Sequence, residues 1–125
     1  MELKSIYNIT SFESTDNEIA ATIKFYGEHK VFEGHFPGNP IVPGVVQIQI
    51  IKDLLEKVTE GKLFLNKTKS VKFLNIINPD KTGSVLFEIK FDKEGEKNYK
   101  VKCIVKKGSL VFLKYSGNAL LLSES

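Results

Sequence analysis

The chain has 125 residues with 42% hydrophobic and 26% charged side chains, a balance that excludes disorder and low-complexity assembly and suits one soluble domain over residues 1–125. Its net charge is +3 and every basic residue is lysine, so the arginine-based reading of guanine and guanidinium stacking on bases are missing, and no nucleic-acid partner is expected. A single cysteine, Cys103, excludes an internal disulfide and a multi-thiolate zinc site, which points to a reducing, cytoplasmic setting with no metal.

Met1 to Ser5 shows no basic flank leading into a long apolar run, so no leader is expected. A first strand is expected within Leu3 to Phe12. Over Ile19 to Phe25 the apolar residues Ile19, Ala21, Ile23 and Phe25 alternate with Ala20, Thr22 and Lys24, the period of a half-buried strand. The longest apolar stretch, Ile41 to Ile51, is broken by Pro43, Gly44, Gln47 and Gln49 and is far short of the roughly 20 residues of a membrane span, so no membrane insertion is expected. From about residue 43 to 58 the pattern turns helical, with Ile51, Leu54, Leu55 and Val58 on one side and Lys52, Asp53, Glu56 and Lys57 on the other. The first turns of this helix are apolar nearly all round (Val45, Val46, Ile48, Ile50, Ile51), which predicts a start that is buried and an end that is solvated.

A further extended stretch is expected over Leu63 to Ile77, ended by Asn78-Pro79-Asp80. Val85, Phe87, Ile89 and Phe91 then repeat the strand alternation, as do Tyr99, Val101, Cys103 and Val105. Glu94-Gly95-Glu96 and Lys107-Gly108-Ser109 are hairpin turns, the second leading into Leu110 to Tyr115, so the last three strands form an antiparallel meander. One early helix followed by a run of strands predicts an α+β architecture, an antiparallel sheet wrapped around the helix.

The unusual segment lies between the second strand and the helix. From Gly34 to Gly44, three prolines and three glycines over eleven positions fix a rigid loop that brings His35 to the start of the helix. A helix start carries unpaired backbone N–H groups and a positive dipole end, so Gly44 offers a close approach to a carbonyl or oxyanion. Imidazole titrates near about pH 6.5 when unperturbed, which suits His35 as a general base beside such a group.

The string His35-Phe36-Pro37-Gly38-Asn39-Pro40-Ile41-Val42-Pro43-Gly44-Val45 closely resembles the active-site motif of the 3-hydroxyacyl-acyl-carrier-protein dehydratases, which have the hotdog fold. Weaker similarity runs through Val71-Lys72-Phe73-Leu74 to Pro79-Asp80 and on through the meander, and Pro40 to Gln47 is most similar to the hydroxymyristoyl and aryl-polyene-pathway branch. The resemblance implies a syn elimination of water from a 3-hydroxyacyl thioester, with the substrate carried on the phosphopantetheine of acyl carrier protein or on coenzyme A and no other cofactor. It assigns the α-proton to His35 and the thioester carbonyl to the Gly44 N–H, and it places Phe36, Pro37, Gly38, Pro43 and Val45 against the substrate. It also implies at least a homodimer, because the family's acid comes from the other subunit, fourteen positions after the histidine. In this chain that position is Gln49, an amide that hydrogen-bonds a hydroxyl but cannot protonate it.

Three routes replace the missing acid: His35 performing both transfers, Asp53 acting through a bridging water one turn beyond Gln49, or Glu33 from the loop. Two other functions stay open, hydrolysis of an acyl thioester and a non-catalytic acyl-binding or partner subunit. Plainer roles stand beside the catalytic ones. Gln49 could be a buried amide bonded to backbone, Gln47 a structural residue at a subunit interface, and His29 a solvated side chain. Cys103 reads as core, Phe25, Phe36, Phe73, Phe87, Phe91 and Phe112 chiefly as core, and Lys67, Lys69 and Lys72 as a solvated strand face or a dock for an acidic carrier.

Overall fold

The computed structural model describes residues 6–26 and 40–124. Strands β1 (Tyr7–Ser14) and β2 (Glu18–Phe25) precede helix α1 (Gly44–Thr59), followed by β3 (Gly61–Phe73), β4 (Val85–Glu94), β5 (Asn98–Lys107) and β6 (Leu110–Glu124). All described pairings are antiparallel, and the sheet order is β1-β2-β4-β5-β6-β3, which leaves β1 and β3 at the two edges. The predicted α+β architecture and the meander of the last three strands are both present. Gly95 and Gly108 take positive φ in the two hairpin turns of that meander, a conformation glycine adopts without strain.

The strand alternation becomes one apolar face. Register runs straight across the sheet from Phe12 to Ala21, Phe87, Val105, Leu113 and finally Phe73 on the β3 edge. A parallel row joins Ile19, Ile89, Cys103, Tyr115 and Val71. Against this face the helix buries Val46, Ile50, Ile51, Leu54 and Leu55, and these residues form one hydrophobic cluster with the strands. Two polar ties fix the helix between the sheet edges. The Tyr7 hydroxyl of β1 donates to Asp53 Oδ2 at 3.1 Å, and the Leu63 N–H of β3 donates to Glu56 Oε2 at 2.8 Å. Glu56 is itself held by Lys52 at 3.3 Å.

Five expectations need correction. The first strand extends to Ser14, two residues beyond the expected limit. The third strand ends at Phe73 and not at Ile77: the Leu74 N–H turns to the Phe112 carbonyl at 2.9 Å and the Asn75 amide to the Val111 carbonyl at 2.7 Å, which takes the chain out of the ladder. Asn78-Pro79-Asp80 is a turn, as read, but it leads into β4; Asn78 Oδ1 accepts from the N–H groups of Asp80 and Lys81. The helix start is not uniformly buried, because Val45 is 65% exposed while Leu54 and Leu55, well into the helix, are sealed. Phe73 is 52% exposed, unlike the core phenylalanines Phe25, Phe87, Phe91 and Phe112.

Candidate active site

The helix opens without a side-chain cap. Pro43 sits at the N-cap in extended conformation and cannot supply a side-chain acceptor, and the first turn contains no acidic residue. Val46 and Gln47 donate their N–H groups to the Pro43 carbonyl at 3.1 and 3.3 Å, so the Gly44 and Val45 N–H groups are the ones that keep their hydrogen-bonding capacity among the described residues, at the positive end of the helix dipole. Backbone pairing holds this end in place: the Val42 N–H donates to the Ile77 carbonyl at 2.9 Å, fixing the residue before Pro43 against the segment that follows β3.

Gly44 lets the Phe73 ring close on the helix start, and any larger residue would push that half-exposed ring aside. A Cβ at this position would lie 2.4 Å from Cζ and 2.8 Å from Cε1 of Phe73. Phe73 is the last member of the apolar row that crosses the sheet, so the ring at the β3 edge lands on the first helical residue. Beside it, Val45, Leu74 and Ile76 are also exposed, giving the helix start an apolar rim.

One turn further along, the polar residues of the helix form a short chain. Gln49 Nε2 donates to Asp53 Oδ1 at 3.1 Å, and Asp53 Oδ2 accepts from the Tyr7 hydroxyl at 3.1 Å. Gln49 is thus half-buried and bound to a carboxylate side chain, which corrects the reading of it as a buried amide bonded to backbone. Gln47 is 2% exposed inside the protomer, donating Nε2 to the Val42 carbonyl at 3.4 Å, so it does not pack at a subunit interface; its Oε1 has no partner among the described residues. Lys67, Lys69 and Lys72 are exposed along the β3 edge.

Of the residues singled out from the sequence, the structure places Pro43, Gly44 and Val45 together at the helix start and Gln49 with Asp53 on its flank. Glu33, His29, His35, Phe36, Pro37 and Gly38 lie outside the described residues. Tyr7 escaped the sequence reading, since it stands 46 positions from Asp53 and no local pattern links the two. Phe73 was read as chiefly core, although its place in the alternation with Val71 carried the signal for its facing the helix.

Among the described residues two groups have strongly displaced titrations. Burial, and then the neighbouring Asp53 carboxylate, push the Tyr7 phenol up from its ordinary 10.0. Burial, and then the Glu88 charge, push the Cys103 thiol up from 9.0, which leaves it a neutral core residue and no nucleophile. In the unfolded chain both groups lose their protons near those ordinary values while the native protein still holds them. The native state then binds more protons, so its stability is full below about pH 9 and falls as pH rises toward the displaced native values. Urea midpoints measured from about pH 8 to pH 11 are expected to decline, and Cys103→Ala and Tyr7→Phe are each expected to flatten the decline.

Among the described residues no helix is long and apolar enough to cross a membrane, and no cluster of histidine, cysteine, aspartate and glutamate is arranged to hold a metal ion. The fold is shared with solved structures. The dehydratase heterocomplex ApeI:P from Xenorhabdus doucetiae superposes with a TM-score of 0.72 at 19% identity, over 90% of this chain and 96% of that one. A hypothetical thioesterase with coenzyme A from Streptococcus pneumoniae TIGR4 gives a TM-score of 0.70 at 11% identity, over 98% and 92%. These likenesses establish the hotdog fold. In sequence, the 3-hydroxyacyl-[acyl-carrier-protein] dehydratase FabZ of Lactobacillus helveticus is 34% identical over 83 residues, 60% of this chain and 54% of that protein. The chain spans about half the length of the curated relatives it matches. The family described as ApeI-like, ApeI dehydratase, matches residues 11–112, which covers most of the chain and takes in the helix, its uncapped start and Phe73. The chain belongs to the ApeI-like dehydratase family.

Proposed function

We propose that this protein is a lyase that eliminates water from 3-hydroxyacyl thioesters carried on acyl carrier protein or coenzyme A. The observation that carries the reading is the helix start at Gly44, a donor site with no side-chain cap among the described residues, which follows the His35 to Pro43 motif in sequence. A thioester carbonyl placed there gains a hydrogen bond that strengthens as enolate charge develops on its oxygen. His35 removes the proton on C2, the C3–O bond breaks, and the same imidazolium returns the proton to the departing hydroxyl, so that water leaves from the face on which the proton was taken. Phe36, Pro37, Gly38, Pro43 and Val45 bound the substrate in this reading, and Phe73 covers the carbonyl site from the sheet edge.

The working unit in this reading is at least a homodimer in the cytoplasm. Gln49 leaves the helix flank about 7.5 Å further along the axis than Gly44, and is tied further down still to Asp53. Within one copy the two groups are held apart, whereas a second copy meeting the β3 edge brings its own Gln49 to the Gly44 of the first. The exposed Phe64, Phe73, Leu74 and Ile76 on and beyond that edge favour such pairing.

The test is incubation of the purified protein with short and long 3-hydroxyacyl thioesters, carrier-bound and coenzyme A-bound, with light scattering on the same sample. Conjugated enoyl product from a dimer or larger assembly is the expected result. Release of free thiol and carboxylic acid would replace the lyase with a thioesterase. Bound acyl carrier without turnover would make the protein a binding subunit.

A further inference from the structure

The Tyr7–Asp53–Gln49 chain has a chemical direction that the lyase reading does not use. An ionised carboxylate only accepts hydrogen bonds, so the group Gln49 turns to Asp53 must be its amide nitrogen, and the observed contact is through Nε2. Gln49 Oε1 is then turned away from Asp53, and among the described residues nothing donates to it. The second oxygen of Asp53 is held by Tyr7 from the β1 edge, which opposes rotation of the carboxylate away from the amide. The result is a fixed acceptor on the helix flank, backed by a charge one turn behind it.

We propose that Asp53 is the positioning carboxylate of this site: anchored by Tyr7, it holds Gln49 so that Oε1 accepts the hydrogen bond of the substrate's 3-hydroxyl. The proposal rests on the lyase reading and deepens it. With its hydrogen committed to Gln49, the hydroxyl oxygen presents lone pairs to the proton taken from C2. The C2–H and C3–O bonds break, a C2–C3 double bond forms, and the oxygen departs as water carrying its own hydrogen and the transferred proton. The site therefore needs no carboxylic acid at position 49. It needs an acceptor oxygen there with a fixed orientation, and Asp53 supplies the orientation.

Turnover of a 3-hydroxyacyl thioester by the full-length chain tests this in three variants beside the native protein: Asp53→Leu, Tyr7→Phe, and the exchange Gln49→Glu with Asp53→Gln. Asp53→Leu is expected to lower kcat by about tenfold or more with KM within about twofold, and Tyr7→Phe to lower it less. The exchange is expected to recover most of the lost rate, because it puts a carboxyl at position 49 with an amide behind it to donate. An Asp53 that merely braces the helix against β1 predicts lower unfolding midpoints, unchanged kcat per folded molecule and no recovery in the exchange, and that outcome overturns the proposal. The side-chain amide signals of Gln49 in a proton–nitrogen NMR spectrum separate this from failure of the lyase reading. If the native protein turns nothing over, yet these signals shift and exchange faster in Asp53→Leu, the lyase reading and the hydroxyl assignment fall while the positioning of Gln49 stands. Signals unchanged by Asp53→Leu overturn the positioning itself.

Discussion

His35→Ala is expected to slow formation of the enoyl product by about 10²- to 10⁴-fold, the range that a positioned general acid–base group supplies. The loss should reach the upper part of that range, because the proposed elimination asks one imidazole for two proton transfers where the resemblance implies two residues. Position 49 holds an amide and offers no second proton donor. In free-energy terms the change is about 3 to 5 kcal/mol in the barrier. The effect should fall on kcat, since in the proposed step His35 moves protons and does not hold the acyl chain. Circular dichroism and urea unfolding should match the native protein. The check is the initial rate of conjugated thioester formation at saturating substrate; a variant within about threefold of native would remove His35 from the chemistry.

Phe87→Ala is the substitution expected to do most damage to the fold. Phe87 is fully buried on β4, with Ala21 on one side of it and Val105 on the other, in the middle of the row that runs from β1 to β3. Its neighbours are fixed by ladder hydrogen bonds on both sides of the strand, so they cannot close the space left by the ring. Loss of a buried phenylalanine in such a setting destabilises by about 3 to 5 kcal/mol, a large share of the roughly 5 to 15 kcal/mol that holds a native domain together. The urea midpoint should drop accordingly with an unchanged slope. The same deletion at Phe73, half-exposed at the end of the row, should shift the midpoint far less.

The contrast between those two phenylalanines shows what could be read from the sequence. Alternation assigns Phe87 and Phe73 alike to an inward face, and both do face the helix side of the sheet. What alternation does not encode is where in the sheet each strand stands. Phe87 lies on a central strand and is covered all round, whereas Phe73 lies on the edge and meets only the helix start. The same limit explains Val45. An all-round apolar helix start reads as buried because pattern alone does not say which side of the first turn meets the sheet; Val46 does, and Val45 does not. The Gly44 end of the site was legible because the proline and glycine spacing is local. The Asp53 carboxylate was legible as a neighbour of Gln49 by helical spacing, but its anchor was not, since Tyr7 reaches it only through the pairing of β1 with β2 and the packing of the helix.

The sheet order also fixes when the site can exist during synthesis. The β4–β5 and β5–β6 hairpins close locally, but β3 pairs only with β6, so that Phe73 finds its register opposite Leu113 after two intervening strands have emerged. Long loop closures of this kind are slow to form and late in folding. The helix and β3 leave the ribosome early, and β3 waits without its ladder partner. The ring that caps Gly44 is put in place by the last strand, so a chain stalled before β6 carries the whole proline–glycine motif without a formed site behind it.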